Sequence, residues 1–570
     1  MTGPKITFRF FLSLASGAVG SLAFQSEPVS GISWIWPFLM LAVVNHSKSG
    51  WLSGYTSGFG FFSTSMYWLW FNPFPQGAIL GWFAMSLYCG LYFALWVGLS
   101  LRLWESLLKH VDADYLSSKN YRGFSLLIDV SRKPWPKYWQ RLSWCVFASC
   151  LWVALEWLRC RVITGLPWNL LGMTQSSLSG ISTIAQWSGV SLVSFLVCFV
   201  SLVIGMACIS IVKYPGKPMS GIREAFPVLI IFVGVVFNHF HQISLAMETS
   251  KNTLLPELRV SCVQPGFSQN DIWSSDKTKR AEMWQHVMDL TKEAANHQPA
   301  PDLILWPEGA VSGMTVTKLE EVSKIAKEKQ IAFIISMSTA SRDPENPKNF
   351  LEYNSAVFID ENGKWLDKNN DWLFVYNKQH LVPFGEFIPL VSLFPWLADI
   401  LPIGEFNRGT EPGIFYWKKQ KVHIGTSICF EDAMAPLIRK NTSHQTQILI
   451  NLTNDAWFGR SSAQWQHIRA AQFRAIEMGI PIVKAANNGI SCWASQFGFL
   501  NDIRFDNSPK KSVYDSGYKA FKIKIRPPRH TFYKAIGDWW SILCIGITIV
   551  CLIINEIPKR SSSSGSCDPA

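Results

Sequence analysis

Long apolar stretches dominate both ends of the chain, whereas the middle region mixes apolar and polar residues. Between about residue 8 and residue 240, apolar runs with few charges alternate with short polar links. A helix needs roughly 20 predominantly apolar residues to cross the hydrocarbon core of a bilayer. The pattern therefore predicts seven membrane spans and then an eighth near the carboxyl end, at 8–25, 33–47, 52–71, 78–101, 143–160, 184–212, 226–240 and 539–557.

The polar middle region has the alternation of an α/β domain. Its apolar or β-branched runs predict strands at 258–264, 302–306, 331–338, 354–360, 422–428, 447–453 and 481–486. Amphipathic or polar stretches predict helices at 278–297, 316–329 and 464–478. Apolar strands separated by helices indicate sheets that are covered by helices. The predicted domains are a seven-span membrane domain over 1–244, an α/β domain over 245–535, an eighth span over 536–558 and a disordered tail over 559–570.

The distribution of Lys and Arg predicts the orientation in the membrane. The link between the fourth and fifth spans is rich in basic residues, whereas the links at 26–32 and 72–77 contain none. Short links rich in Lys and Arg face the cytoplasm. Both termini are therefore expected inside and the α/β domain outside. The net charge of +12 fits basic loops that face anionic lipid, so no nucleic-acid partner is expected.

Candidate reactive residues follow three of the predicted strands. Glu308 ends the run DLILWPE, and Cys429 and Glu431 end the run HIGTSICFE. The third strand is followed by Asn454 and Asp455. Sheets in α/β proteins tend to present their sites at strand ends, so we expect these side chains to lie close together.

Cysteine usage makes Cys429 a candidate functional thiol. The α/β domain contains only Cys262, Cys429 and Cys492, an odd set without paired spacing, so a disulfide framework is not expected. A catalytic thiol needs a neighbouring base or positive charge to become a thiolate. Taken singly, Cys429 also fits a buried core cysteine, Glu308 a surface carboxylate, and Lys378 a lysine lying along the surface.

Five ordered motifs carry a family resemblance. They are LWPE, YNKQHLVPFGEF, ICFED, NLTNDAWFG and QHIRAAQFRAIEMGIPIVKAANNG. In this order they resemble the nitrilase superfamily and, more narrowly, its integral-membrane branch, the apolipoprotein N-acyltransferases. The resemblance runs the whole length of the chain and implies a membrane α-helical bundle of about eight transmembrane helices plus an extracytoplasmic nitrilase-like α-β-β-α sandwich.

The resemblance also implies roles for particular residues. Cys429 would be the nucleophile, Glu308 the general base, and Lys378 the group that stabilises the negative charge of the tetrahedral intermediate. No cofactor and no metal are implied, and neither His380 nor His467 has the spacing of metal ligands.

Three further residues fall in matching motifs and are expected to support the site. Glu386 in PFGEF and Glu431 in ICFED would position Lys378 or the thiol, or would serve only as acceptors for backbone N–H groups. Trp273 in SQNDIW would contact the acyl donor, unless it serves only in packing.

The implied activity is lipoprotein maturation at the bacterial inner membrane, with the catalytic domain in the periplasm. A phospholipid would donate its acyl chain, a diacylated lipoprotein would accept it, and the enzyme is expected to act as a monomer. The apolar segment 385–408 is expected to be an arm dipping toward lipid, or otherwise a helix packed into the core. Two other hypotheses stay open at this point, a membrane-anchored amidase acting on a small amide and a non-catalytic transporter or receptor.

Overall fold

A computed structural model gives the structure of the protein. It describes residues 4–26, 28–44, 47–111, 127, 135–217, 219–311, 313–343, 346, 348–383, 385–388, 406–503, 505 and 512–556. The predicted tail at 559–570 and most of the predicted apolar arm, residues 389–405, lie outside these ranges.

The amino-terminal part of the chain is helical. Its helices are Pro4–Ser21, Trp36–Ala42, Ser47–Ser65, Pro75–Val111, Tyr138–Arg159, Ser179–Ser182, Ala185–Ser188, Val190–Lys213 and Met219–Lys251, and a further helix, Trp539–Glu556, lies near the carboxyl end. Among the described residues, four helices are long and apolar enough to cross a membrane, namely Gly77–Lys109, Tyr138–Arg159, Val190–Lys213 and Met219–Lys251. Phe8–Phe24 and Trp539–Asn555 form shorter apolar helices.

The predicted span at 33–47 needs a correction. The α-helix in this stretch, Trp36–Ala42, has only 7 residues and follows a 3₁₀ turn at Ser30–Trp34. A helix of this length covers less than half of the hydrocarbon core. The apolar residues are there to be buried inside the protein, since Trp36, Met40 and Leu41 are at most 1% exposed.

Small residues and aromatic rings hold the helical bundle together. A Cβ atom at Gly17 would collide with the backbone carbonyl of Ser57, so the helices Pro4–Ser21 and Ser47–Ser65 approach closely at a position that only glycine permits. Next to this contact, Trp36 stacks on Phe61 with 4.8 Å between ring centroids, and Phe93 lies 5.5 Å from Phe61. Aromatic residues make up 14% of the sequence, and packing within the bundle accounts for some of them.

The α/β domain contains two six-stranded sheets of the same design. The strands are β1 Glu257–Gln264, β2 Leu303–Trp306, β3 Ala332–Arg342, β4 Phe350–Ile359, β5 Val375–Asn377, β6 Ile414–Trp417, β7 Val422–Ile428, β8 Ile448–Thr453, β9 Ile482–Ala486, β10 Cys492–Ala494, β11 Leu500–Asn501 and β12 Gly517–Lys524. One sheet has the order β12-β1-β2-β3-β4-β5 and the other β11-β10-β9-β8-β7-β6. In each sheet three neighbouring strands are parallel, β1 to β3 in the first and β7 to β9 in the second, and the outer strands are antiparallel.

The sheets pack face to face and helices cover their outer faces. Strand β2 shows this arrangement. Its residues Leu303 and Leu305 pack against the second sheet, whereas Ile304 and Trp306 pack against helices. The helices of this domain are Gln269–Ile272, Lys277–Ala295, Val316–Lys329, Ala435–Lys440, Ala463–Met478 and Phe532–Ile536. Burial on both faces explains why the central strands are continuous apolar runs. The prediction of a membrane helical bundle with an α-β-β-α sandwich is confirmed.

One helix of the α/β domain, Ala463–Met478, anchors the domain on the bundle. Gln466 Nε2 donates to the backbone oxygens of Phe24 at 3.1 Å and Ser65 at 2.9 Å. Its Oε1 accepts from the indole nitrogens of Trp68 at 3.0 Å and Trp168 at 2.6 Å. A single buried amide therefore joins three separate segments of the bundle to the α/β domain.

Candidate active site

Cys429 lies at a sharp turn at the end of β7. The strand ends at Ile428, and a 3₁₀ turn, Cys429–Ala433, begins with the cysteine itself. The φ angle of Cys429 is 53°, in the left-handed region that residues with side chains rarely adopt. Asn451 supports this conformation, because its Nδ2 donates to the carbonyl oxygen of Cys429 at 3.0 Å.

Lys378 bridges two carboxylates beside this turn. Its Nζ lies 3.2 Å from Glu308 Oε1 and 2.8 Å from Glu386 Oε1. Only 1% of the Lys378 side chain is exposed, so the ammonium is held in a dry environment. Glu386 is fixed in turn by the backbone N–H of Val382, which donates to its Oε2 at 2.9 Å.

The charges of this cluster act on the thiol in opposite directions. Burial and the carboxylate of Glu308 raise the pKa of the Cys429 thiol well above its ordinary value, while the ammonium of Lys378 lowers it. Burial would lower the pKa of Lys378, but Glu308 and Glu386 outweigh burial and hold that pKa well above its usual range. The resting state is therefore a neutral thiol close to a carboxylate and a permanent ammonium.

Glu431 joins the segment after β5, which carries Lys378, to the turn that carries Cys429. Its carboxylate accepts hydrogen bonds from the backbone N–H of Ile428 at 2.8 Å, of Gln379 at 2.7 Å and of His380 at 3.0 Å. The hydroxyl of Tyr376 donates to the same carboxylate at 2.8 Å. Burial raises the pKa of Glu431 to about 7, and the backbone hydrogen bonds counteract it.

Two asparagines complete the surroundings of Glu308. Asn354 Nδ2 donates to Glu308 Oε1 at 2.6 Å and to Glu386 Oε1 at 2.9 Å. The backbone N–H of Asn454 donates to Glu308 Oε2 at 3.1 Å, so two of the three strand ends that were expected to lie close together are in contact. Sequence reasoning missed Asn354, whose only signal is a polar side chain at the start of the apolar run NSAVFID.

A buried network of charges lies behind the turn. His467 is 2.7 Å from Asp432 and 2.9 Å from Asp455, and Lys484 Nζ donates to Asp432 at 2.7 Å and to Asn451 at 2.8 Å. Burial opposes the charged imidazolium of His467, but Asp432 outweighs burial and raises its pKa to about 9. The network itself was not predicted, although a lysine inside the apolar strand IVKAA was a signal that a buried counter-ion must be present.

Trp273 makes its ring contacts away from the lysine and its carboxylates. The indole is 41% exposed. It lies 5.0 Å from the ring of Trp457 and 4.9 Å from that of Phe74, a residue of the membrane part. Five of the six predicted site residues thus lie in one cluster: Glu308, Lys378, Glu386, Cys429 and Glu431. The sixth, Trp273, lies where the α/β domain meets the helical bundle.

A membrane segment also touches the residue after Cys429. Trp168 stacks on Phe430 with 5.6 Å between centroids and an interplanar angle of 23°. The guanidinium of Arg159 donates to the backbone oxygen of Trp168 at 2.8 Å, and Glu156 accepts from the backbone N–H of Leu171 at 2.7 Å. Arg159 and Glu156 therefore fix the loop that contacts the site.

Comparison with known proteins agrees with this architecture. Residues 259–514 match the carbon-nitrogen hydrolase family, and residues 16–203 match the apolipoprotein N-acyltransferase N-terminal domain. An apolipoprotein N-acyltransferase of Rickettsia prowazekii is 29% identical over 551 residues, which cover 95% of this chain and 97% of the relative. One from Geobacter metallireducens is 28% identical over 557 residues, with 94% and 93% covered. A solved amidase from Nesterenkonia sp. AN1 is 16% identical with a TM-score of 0.33, covering 50% of this chain and 96% of that one.

The two sheets, the cysteine turn and the bridged lysine define a nitrilase-type enzyme domain carried on a membrane helical bundle. The membrane part and the α/β domain each match a family model, and the alignment with the Rickettsia prowazekii relative runs through both. The chain is similar to the apolipoprotein N-acyltransferases over nearly its whole length, in both the membrane part and the α/β domain.

Proposed function

We propose that the chain transfers a fatty acyl chain from a membrane phospholipid, through a thioester at Cys429, to the N-terminal amine of diacylglyceryl-cysteine apolipoproteins. Similarity to the apolipoprotein N-acyltransferases supports N-acylation of lipoproteins in general. The observation that carries the finer proposal is the cluster at the end of β7, where Glu308 and Lys378 both act on the thiol of Cys429.

The first half-reaction follows from the protonation states of the cluster. Because the thiol of Cys429 is neutral at rest, Glu308 takes its proton as the sulfur attacks the ester carbonyl of the phospholipid. Lys378 and the backbone N–H of Phe430 stabilise the resulting oxyanion, a contribution of roughly 3 kcal/mol per donor. The C–O bond then breaks, Glu308 returns the proton to the departing glycerol oxygen, and a lysophospholipid leaves.

The second half-reaction uses the same groups in reverse. The α-amine of the diacylated lipoprotein attacks the thioester carbonyl and gives a proton to Glu308. Cys429 departs as a thiolate and recovers that proton, leaving an amide on the lipoprotein. No cofactor or metal enters either step. Glu386, Glu431 and Asn354 serve as positioning residues, because their contacts fix Lys378, Glu308 and the turn.

Contacts with the bundle favour substrates that reside in the membrane. Phe430, next to the nucleophile, packs on Trp168, and Trp273 packs on Phe74. A lipid acyl chain reaching the thiol would meet these aromatic rings, and we propose that Trp273 contacts the acyl donor. A small soluble amide needs no such contacts, which is why acyl transfer between lipids is favoured over amidase activity.

The proposed orientation places residues 245–535 in the periplasm of a bacterium, above an inner-membrane domain formed by residues 1–244. Residues 536–558 form the last span and residues 559–570 a cytoplasmic tail. Basic residues between the fourth and fifth spans support a cytoplasmic location for that link. We propose that a single copy of the chain is active.

A pulse–chase experiment tests the proposed function. Purified protein receives a phospholipid with a labelled acyl chain, and a synthetic diacylglyceryl-cysteine lipopeptide is added afterwards. The donor alone should give a labelled protein that neutral hydroxylamine cleaves, and the lipopeptide should remove this label while an equal amount of labelled amide appears.

The alternatives give different results in the same experiment. A protein that hydrolyses small amides and never acquires label from the lipid would be an amidase. A protein that neither acquires label nor hydrolyses amides would be a non-catalytic transporter or receptor. Either result would overturn the proposed acyl transfer.

A further inference from the structure

A basic cavity lies outside the cluster around Cys429. It has a volume of about 280 Å³ and is formed where the helix Ala435–Lys440 meets the segment before the last apolar helix. None of the residues that line it is acidic, and its polar lining consists of Arg439, Lys440, Thr442, Ser443, His444 and Lys534. Its position and lining are distinct from those of the thiol site.

Lys534 is the most unusual residue of this cavity. Its side chain is 8% exposed, and its ammonium nitrogen has no hydrogen-bond partner within the described part of the chain. A buried ammonium without a partner is costly, because it has lost its hydration and gained nothing in return. Burial accordingly lowers the pKa of Lys534 to about 8. An anion in the cavity would supply the missing partner.

The other two strong cations of the cavity contact neutral groups. Arg439 donates from Nε to the backbone oxygen of Lys534 at 2.8 Å and from Nη2 to that of Ala535 at 2.8 Å. Lys440 Nζ donates to Gln379 Oε1 at 2.8 Å and to the backbone oxygen of Thr410 at 2.9 Å. These contacts hold the side chains in place, and no carboxylate among the described residues forms an ion pair with either of them, so the described lining of the cavity is positive as a whole.

The surroundings of Lys534 resemble a membrane–water boundary. The residue lies in the helix Phe532–Ile536, shortly before the apolar helix Trp539–Glu556. Phe532 and Ile536 are 42% and 53% exposed, and the ring of Phe532 packs 5.8 Å from that of Trp539. Exposed aromatic and apolar side chains at the end of a span are typical of the level of the lipid headgroups.

We propose that this cavity binds the phosphate group of a membrane phospholipid headgroup. A phosphate diester offers oxygens to the ammonium of Lys534, to Lys440 and to the free donors of Arg439, which is the combination of groups that phosphate binds best. Free phosphate shares this chemistry, but the apolar side chains beside Lys534 favour a lipid. The site goes beyond the proposed acyl transfer, since it does not involve Cys429.

The test uses full-length protein carrying Cys429→Ala, so that the lipid is not consumed and acyl transfer does not contribute. Delipidated protein in detergent is titrated with phosphatidylglycerol, with diacylglycerol bearing the same chains, or with inorganic phosphate. Retained lipid is counted by native mass spectrometry, and the melting temperature is recorded. Lys534→Met is compared with Lys534→Arg and with Lys522→Met, which removes the same charge from an exposed position on β12.

Phosphatidylglycerol is expected to raise the melting temperature and to remain bound, whereas diacylglycerol does neither. Lys534→Met should weaken retention roughly tenfold, because one charged hydrogen-bond donor is lost. Lys534→Arg and Lys522→Met should retain the lipid. Equal loss in Lys534→Met and Lys522→Met would overturn the site. Full protection by inorganic phosphate, without retention of phosphatidylglycerol, would overturn the lipid as its occupant.

Discussion

Replacing Cys429 with alanine is expected to abolish transfer of the acyl chain to the lipopeptide. The sulfur is the atom to which the acyl group becomes bound, and no other group of the cluster can replace it as nucleophile. The loss should be at least about 10⁴-fold, as for other enzymes that lose their nucleophile. The measurement is the rate of amide formation on a synthetic lipopeptide, followed by mass spectrometry.

Cys492 offers a matched control for this substitution. It is also a fully buried cysteine of the catalytic domain, in strand β10 of the same sheet. Cys492→Ala should keep its rate within a few fold of the wild type, because only packing is changed. Comparable rates for Cys429→Ala and the wild type would show that Cys429 is not the nucleophile.

Replacing Glu308 with glutamine is expected to give the second largest loss. Glutamine has almost the same shape and can still accept a hydrogen bond from Lys378, but it cannot take the proton of the thiol. General bases contribute typically about 10²–10⁴-fold to a rate, and a loss in this range is expected for formation of the acyl-enzyme. Single-turnover labelling with the phospholipid donor measures this step by itself.

The matched control for Glu308 is Glu320→Gln, which removes the same charge from an exposed position on the helix Val316–Lys329. It should leave the labelling rate unchanged. The melting temperature of Glu308→Gln should stay near that of the wild type, which separates loss of the base from unfolding. A labelling rate for Glu308→Gln within a few fold of the wild type would assign the base to another group.

The central strands could be predicted from the sequence because they are buried on both faces. Such strands appear as continuous apolar runs, and all seven runs that were expected to be strands correspond to observed ones. The remaining strands are β5, β6, β10, β11 and β12. Four of these have two to four residues and give too little pattern, whereas β12, with Phe521 and Ile523 buried and Lys522 exposed, carried an alternation that could have revealed it.

Three of the six predicted site residues, Glu308, Cys429 and Glu431, came from the ends of predicted strands. The other three, Lys378, Glu386 and Trp273, came from motifs of the resembled family, and the sequence could not supply the contacts between the six. Asn354 illustrates the limit. It lies 46 residues from Glu308 and 32 residues from Glu386 along the chain, yet it bonds to both. Only the pairing of β3 with β4 brings this side chain to the end of the sheet where the carboxylates are. Contacts of this kind depend on how the sheet is assembled.

The membrane part shows a different limit. Hydropathy identifies apolar residues but does not distinguish those that face lipid from those buried against other helices. Residues 33–47 were predicted as a span for this reason, although Trp36 is buried among Phe61, Phe93 and Trp152. The same ambiguity applies wherever aromatic residues fill the centre of a bundle.

The attachment of the acyl group to the sulfur of Cys429 can be measured directly. Wild-type protein is incubated with the phospholipid donor alone, digested under mildly acidic conditions, and the peptides are analysed by mass spectrometry. The peptide that contains Cys429 should gain the mass of one acyl chain on that residue, and neutral hydroxylamine should remove it. An acyl group found on another residue, or one on this peptide that survives hydroxylamine, would contradict the thioester mechanism.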